Sequence, residues 1–275
     1  MSLFQYDFMQ RAFIAALIVG VIAPLIGVFL VQRRLALLGD GMGHVALTGV
    51  GLAFLVGSAP IPTALVVAAL GAVILEVIRA RSRTAGDLAL ALVFYGGIAG
   101  GVFLTTLAGG KATTSLNQYL FGSLSTVSAS DLIGLGVAAA VVIVVLAVFG
   151  RELFAMSLDS ELAQVQGIRT TLMSTLLTVM AAISVVVGMR TVGLLLVSAI
   201  MIVPIAAAQQ LTRSFTVTAM IGVALGLVST VAGLTSSYYL DVPPGPTIVL
   251  IALAIFVLAG LAGFGLRRRG RLIGR

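Results

Sequence analysis

Nine apolar runs, each about the length of a membrane crossing and split by short polar or basic stretches, leave this chain few ways to fold. Charged residues make up only 9% of its 275 residues, hydrophobic ones 60%, and the mean hydropathy is +1.21. A soluble domain carries roughly 25% charged residues, so this chain cannot cover a water-exposed surface. In hydrocarbon every backbone N–H and C=O needs a partner within the protein, which restricts spanning structures to helices and closed barrels. The runs fall near 12–31, 35–56, 61–78, 86–108, 131–149, 170–189, 191–211, 216–239 and 247–266. The expected fold class is all-α: a polytopic membrane protein of about nine transmembrane helices, or eight if one run is re-entrant. The expected domain is a single transmembrane unit over 1–275. The first run continues to Val31 and meets the flank Gln32-Arg33-Arg34, so it is read as a span and not as a signal peptide.

The net charge of +7 is spread between the spans and forms no basic face, which speaks against a nucleic-acid partner. With the N-terminus outside, the cytoplasmic segments hold Arg33, Arg34, Arg79, Arg81, Arg83, Arg151, Arg169, Arg213, Arg267, Arg268, Arg269, Arg271 and Arg275. Arg11, Lys111 and Arg190 then lie outside. That asymmetry predicts nine spans with a cytoplasmic C-terminus. The absence of cysteine removes disulfides and thiolate metal sites. Lys111 is the only lysine and no G-x-x-x-x-G-K-[S/T] run exists, so the chain has no P-loop for ATP hydrolysis.

One carboxylate and the only histidine stand inside an apolar run. Asp40 and His44 are four residues apart, on one face of a helix. Ionisable groups within a membrane are costly and are functional candidates by default. A carboxylate and an imidazole supply half of a four-ligand metal site, and two copies about a two-fold axis would complete it. Gly39, Gly41 and Gly43 flank the pair; they suit close helix packing and also leave room for an ion. Pro204 should kink or break the seventh span, making Ser198 and Pro204 pathway or hinge candidates. Glu76 reads as an interfacial ion pair with Arg79 and Arg83 and without a transport role. Asp87 reads as an N-cap and Asp241–Pro246 as a stiff outer turn. The segment 151–170 predicts a short amphipathic helix, with Asp159 as N-cap, Glu161 in the first turn, Gly167 at the C-terminal end, and Leu158, Leu162 and Val165 along one side.

Five ordered blocks carry a family resemblance that runs from about Phe13 to Leu258. They are Arg33-Arg34 with Gly39-Asp40-x-x-x-His44; Tyr119 to Leu124 with Ser128 and Asp131-Leu132; Ser157 to Ala163 with Gly167; Val192 to Val197 with Ile202 to Ala208; and Tyr239-x-Asp241-x-Pro243-x-Gly245 to Leu250. Together they resemble the membrane permease subunit of zinc/manganese ABC importers, the metal-ion permease family. The resemblance implies a homodimer with a fold similar to the cobalamin and siderophore importer permeases, in a bacterial plasma (inner) membrane. It implies a cytoplasmic ABC ATPase dimer, which holds the ATP and grips the coupling loop at Ser157, Asp159, Glu161, Ala163 and Gly167. It further implies an extracytoplasmic metal-binding protein as partner and Asp40 and His44 as the metal-contacting pair. The cargo is Zn2+ first and Mn2+ next, with no permanently bound cofactor. Zinc-type relatives often carry a histidine in the fourth span, where this chain has Phe94-Tyr95-Gly96-Gly97.

The competing reading is a secondary proton-coupled metal carrier, with Asp40 and His44 as a relay. A coupling-loop motif has no purpose in such a carrier. An intramembrane metalloprotease needs H-E-x-x-H with further ligands, and a haem protein needs axial partners; one histidine supplies neither.

Overall fold

The computed structural model describes residues 7–81, 86–109, 118–122 and 127–273. Besides a helical turn at 118–121, the described residues form helices α1 Asp7–Gln32, α2 Leu38–Val56, α3 Pro60–Arg81, α4 Gly86–Ala108, α5 Ala129–Leu158, α6 Ser160–Val165, α7 Thr170–Thr191, α8 Leu194–Leu211, α9 Phe215–Leu240 and α10 Pro244–Ile273. Among the described residues nine are long and apolar enough to cross a membrane, and no strand is present. Arg83, Lys111, Asn117, Ser123, Leu124 and Arg275 lie outside the described residues, as do the side chains of Asp87, Arg267, Arg268, Arg269 and Arg271.

The bundle is built around α1, α2, α7 and α8, whose apolar residues form the main core. α3 and α4 flank α2; α9 and α10 flank α1 and α8; α5 leans on α1 and α7. Lipid tails give no hydrophobic drive between helices, so close contact depends on small residues. Glycines meet this need wherever the site helix packs. A Cβ on Gly49 would stand 2.7 Å from Ala64 Cα of α3, and one on Gly97 would stand 2.7 Å from the backbone N of Val45. Thr48 adds a hydrogen bond across the same seam, its hydroxyl donating to the Gly97 carbonyl at 2.8 Å.

Helix ends explain most departures from the sequence-derived spans. α1 ends at Gln32 in a reversal with Arg34 at φ 60°; Arg34 N donates to Val31 O at 3.1 Å and Leu35 N to Leu30 O at 2.8 Å. This is a Schellman pattern with an arginine in place of the usual glycine, and it delays the start of α2 to Leu38. α5 opens on a capping box in which Ser128 Oγ accepts from Asp131 N and Asp131 accepts from Ser128 N. It then runs to Leu158, well past the expected end of the span. Pro204 was expected to kink or break the seventh span, and α8 runs through it without a break. The break comes earlier, at Gly193, whose φ of 91° suits glycine. Pro24 likewise sits inside α1, where sequence reading had placed no special feature.

Glu76 forms the expected ion pair with Arg79, but buried in the bundle and not at an interface. It is 5% exposed, and its Oε1 lies 2.6 Å from Arg79 Nη1. Thr178 donates to the same oxygen at 2.8 Å and Ser174 donates to Oε2 at 2.7 Å. Arg33 Nη1 donates to Ser174 Oγ at 2.8 Å. Hydropathy could not reveal this, because both hydroxyls come from α7, about a hundred positions along the chain. Burial and the neighbouring Arg79 pull the Arg33 guanidinium below its ordinary value, against the opposing pull of Glu76.

At the opposite end, Arg190 Nε sits 3.1 Å from Asp131 Oδ1. The buried Tyr119 lies near this pair, and burial raises its hydroxyl above the usual value against the pull of Arg190. Three of the motif blocks meet here. Gly122 at φ 73° and Gly193 at φ 91° stand back to back, since a Cβ on Gly193 would meet Phe121 C at 2.5 Å. The Cβ position of Gly245, at the start of α10, lies 3.1 Å from Phe121 O.

Candidate functional site

Asp40 lies in the first turn of α2 and His44 one turn later, so the helix alone sets them side by side. His44 Nε2 and Asp40 Oδ2 are 3.9 Å apart. That is too long for a hydrogen bond, and it is within the roughly 4.2 Å that two ligands of about 2.1 Å each span across one ion. Neither side chain is sealed: His44 is 15% exposed and Asp40 28%.

Each neighbour has an identifiable task. Phe94 of α4 packs edge-on against the His44 ring with centroids 4.9 Å apart, and Tyr95 stacks edge-on against Phe94 in turn. The stretch Phe94–Gly97 therefore lies directly beside His44 and supplies an aromatic wall. Gly97 brings the α4 backbone onto the His44 backbone, with its Cβ position 2.8 Å from His44 C. Gly43 faces Leu194 of α8, Gly41 faces Leu90 and Phe94, and Gly39 faces Met201 and Ser198. All three are buried and serve packing.

Asp40 forms part of the wall of an open groove of about 580 Å³ between the start of α2, α8 and α10. Leu37, Leu195, Ile202, Pro246 and Leu250 make it apolar, and Ser198 adds a hydroxyl. The Ser198 Oγ is buried and has no hydrogen-bond partner. Oxygen donors from a carboxylate and a hydroxyl beside an imidazole suit a divalent transition metal of intermediate hardness. Among the described residues no third His, Cys, Asp or Glu joins the pair. One chain thus brings together one carboxylate and one imidazole, with the buried Ser198 Oγ against Gly39.

The segment 157–168 is also built locally. Asp159 Oδ1 accepts from Glu161 N at 2.9 Å and Leu162 N at 3.0 Å, capping α6. Gly167, at φ 86°, closes it, with Ile168 N donating to Ala163 O at 3.0 Å. Leu158, Leu162 and Val165 are all exposed, Val165 to 85%. Ser157 and Ala163 turn inward instead; the Ser157 hydroxyl donates to Leu153 O at 2.7 Å and Ala163 is buried.

A family model, the ABC 3 transport family, matches residues 5–263. The chain belongs to the ABC 3 transport family. The metal-transport ABC permease expected from the five motif blocks therefore stands. This ABC 3 permease is 33% identical over 259 residues to a manganese transport system membrane protein, MntC, of Halalkalibacterium halodurans, covering 94% of this chain and 88% of that one. In structure it resembles PsaBC from Streptococcus pneumoniae in complex with Fab, at a TM-score of 0.82 and 29% identity, over 93% of this chain and 91% of that one. An inward-facing putative metal-chelate type ABC transporter shares the fold at a TM-score of 0.75 and 17% identity, covering 91% of this chain and 85% of that one.

Proposed function

We propose that this permease carries a divalent transition metal into the cell on the Asp40–His44 pair, with manganese ahead of zinc. The observation that carries this reading is the placement of the pair. Asp40 and His44 stand on one face of α2, 3.9 Å apart, and Asp40 reaches the wall of an open groove that Ser198 also lines. The order of metals reverses the sequence-derived preference for zinc. Its support is the manganese named for the relative and the oxygen-rich donor set, which suits manganese better than a purely nitrogen site would.

A second copy covers the groove. An aspartate that is 28% exposed on a groove lined by Leu37, Leu195 and Leu250 would otherwise face lipid, which is costly. Pairing two copies there removes that cost and doubles the ligands, giving the four to six a stripped divalent ion needs. The exposed apolar side of α6 is the dock for a separate ABC ATPase, with Glu161 on its rim; the inward Ser157 and Ala163, Asp159 and Gly167 shape the helix. A proton-coupled carrier has no use for such a surface. The outer loops receive a metal-binding protein, and the N-terminus lies outside, as the distribution of bases favours.

Mutation and uptake test the site. Asp40→Ala and His44→Ala, at matched membrane levels in cells lacking their own importer, should abolish uptake of both metals. Near-normal uptake by either variant would sink the site, and zinc uptake exceeding that of manganese in the unmodified protein would reverse the proposed order.

A further inference from the structure

The buried cluster around Glu76 joins three parts of the fold at one point: α3 through Glu76 and Arg79, α7 through Ser174 and Thr178, and the α1–α2 reversal through Arg33. The two outer members lead to functional parts. On one side, α6 is fastened to α7 by the Ile168–Ala163 and Met173–Arg169 hydrogen bonds, each 3.0 Å, and Ser174 is the next residue in the helix. On the other side, Arg33 sits in the Schellman reversal, whose paired hydrogen bonds make it stiff, and Asp40 follows in the first turn of α2. Between the two stands one hydroxyl. Ser174 Oγ accepts a hydrogen bond from Arg33 and donates one to Glu76 Oε2.

A lock that only held helices together would satisfy every buried donor. This one does not. Arg79 pairs directly with the Glu76 carboxylate, Arg33 reaches it only through Ser174, and Arg79 Nε is buried without a partner. Two half-buried guanidinium groups around one buried carboxylate, with a donor left unused, are the marks of an element with a second arrangement available, in which the arginines exchange acceptors.

We propose that Arg33, Ser174 and Glu76 form the mechanical link that delivers movement of α6 to Asp40 and His44, with Glu76 as the positioning residue at its centre. This rests on the reading of α6 as the ATPase dock and of the Asp40–His44 pair as the cargo site. Glu76 touches no cargo; it fixes where Ser174 holds Arg33, and hence where the first turn of α2 stands when α7 shifts.

The test uses the permease with its ATPase in proteoliposomes and Mn2+ as cargo, reading metal imported per ATP hydrolysed. Ser174→Ala removes the hand-off but leaves Glu76 held by Thr178 and Arg79. It should lower that ratio about tenfold, within the usual range of coupling between sites, with hydrolysis rate and Mn2+ affinity nearly unchanged. Ser174→Thr keeps the hydroxyl and should restore the ratio. Thr178→Val removes a hydrogen bond from the same carboxylate without touching the hand-off, and should leave the ratio near normal. An unchanged ratio in Ser174→Ala overturns the link, and so does an equal loss in Thr178→Val, which would mean that the cluster only holds helices. Should Ser174→Ala fail to assemble, Arg33→Met breaks the link from its other end and is judged by the same criteria. The underlying reading fails separately: ATPase retained by Leu162→Asp, or uptake retained by Asp40→Ala, overturns the dock or the site whatever Ser174→Ala does.

Discussion

Gly97→Ala is the sharpest test of how the site helix is held, because the adjacent glycine supplies its own control. A methyl at Gly97 would stand 2.7 Å from Val45 N and 2.8 Å from His44 C, both backbone atoms that cannot rotate away. Ordinary contact begins at 3.4 Å, so α4 must retreat from α2 by about 0.7 Å at this point. The Thr48–Gly97 hydrogen bond, 2.8 Å long, would stretch beyond useful range. Overpacking of this kind costs about 1–3 kcal/mol. An interhelical hydrogen bond in a bilayer contributes roughly 0.6 kcal/mol. The expected loss is therefore about 2–3 kcal/mol, read as a fall in Tm of roughly 5–10 °C at this chain size. Mn2+ binding should weaken as well, because the retreat takes Phe94 away from His44. A Cβ at Gly96, by contrast, meets nothing within 4 Å. Gly96→Ala should lose no stability and gains helix propensity. The assay is thermal unfolding of purified protein in detergent, with Mn2+ titration on the same samples. Equal stability of the two variants would refute the claim that backbone contact at Gly97 sets the position of His44.

Two further outcomes follow from the surfaces. Leu162→Asp should release the ATPase in co-purification while Mn2+ affinity stays unchanged, and a cysteine at Val165 should label only from the cytoplasmic side; labelling from outside would invert the proposed orientation. Cysteines at Leu250, on the open groove, should crosslink two chains, whereas cysteines at Gly41 and Gly43 should not, since those positions face α4 and α8 of their own chain; the opposite pattern would move the dimer interface elsewhere.

Legibility from sequence followed the range of the interaction. The spans were legible because hydropathy is a property of each run by itself, and the Asp40–His44 face because four positions of one helix determine it. The Asp159 cap and the Gly167 ending of α6 were legible for the same local reason. Ends set by backbone geometry were missed: Arg34 at φ 60° and Gly193 at φ 91° shorten two spans in a way that composition does not register. α5 runs on through Gly150-Arg151-Glu152 because polar residues end a membrane crossing without ending a helix. Glu76 was misjudged because its ordinary helical partner, Arg79, is visible in sequence while Ser174 and Thr178 are not. Its apolar neighbours Leu75 and Val77 only placed it in a span and did not show which face of the helix it occupies.

The meeting of Gly122, Gly193 and Gly245 has a consequence for how this end of the molecule can change. Contact there is made by main chain, so no side chain exists to be trimmed, lengthened or recharged by degrees. Gly122 and Gly193 are each constrained twice, by positive φ and by the nearness of the other strand of backbone. A substitution at either must move the other, and no single step leads from one workable shape to another. Gly122 and the junction before α8 must therefore match as a pair. A chimera that exchanges one of them between distant relatives without the other should assemble poorly, while exchange of both together should be tolerated.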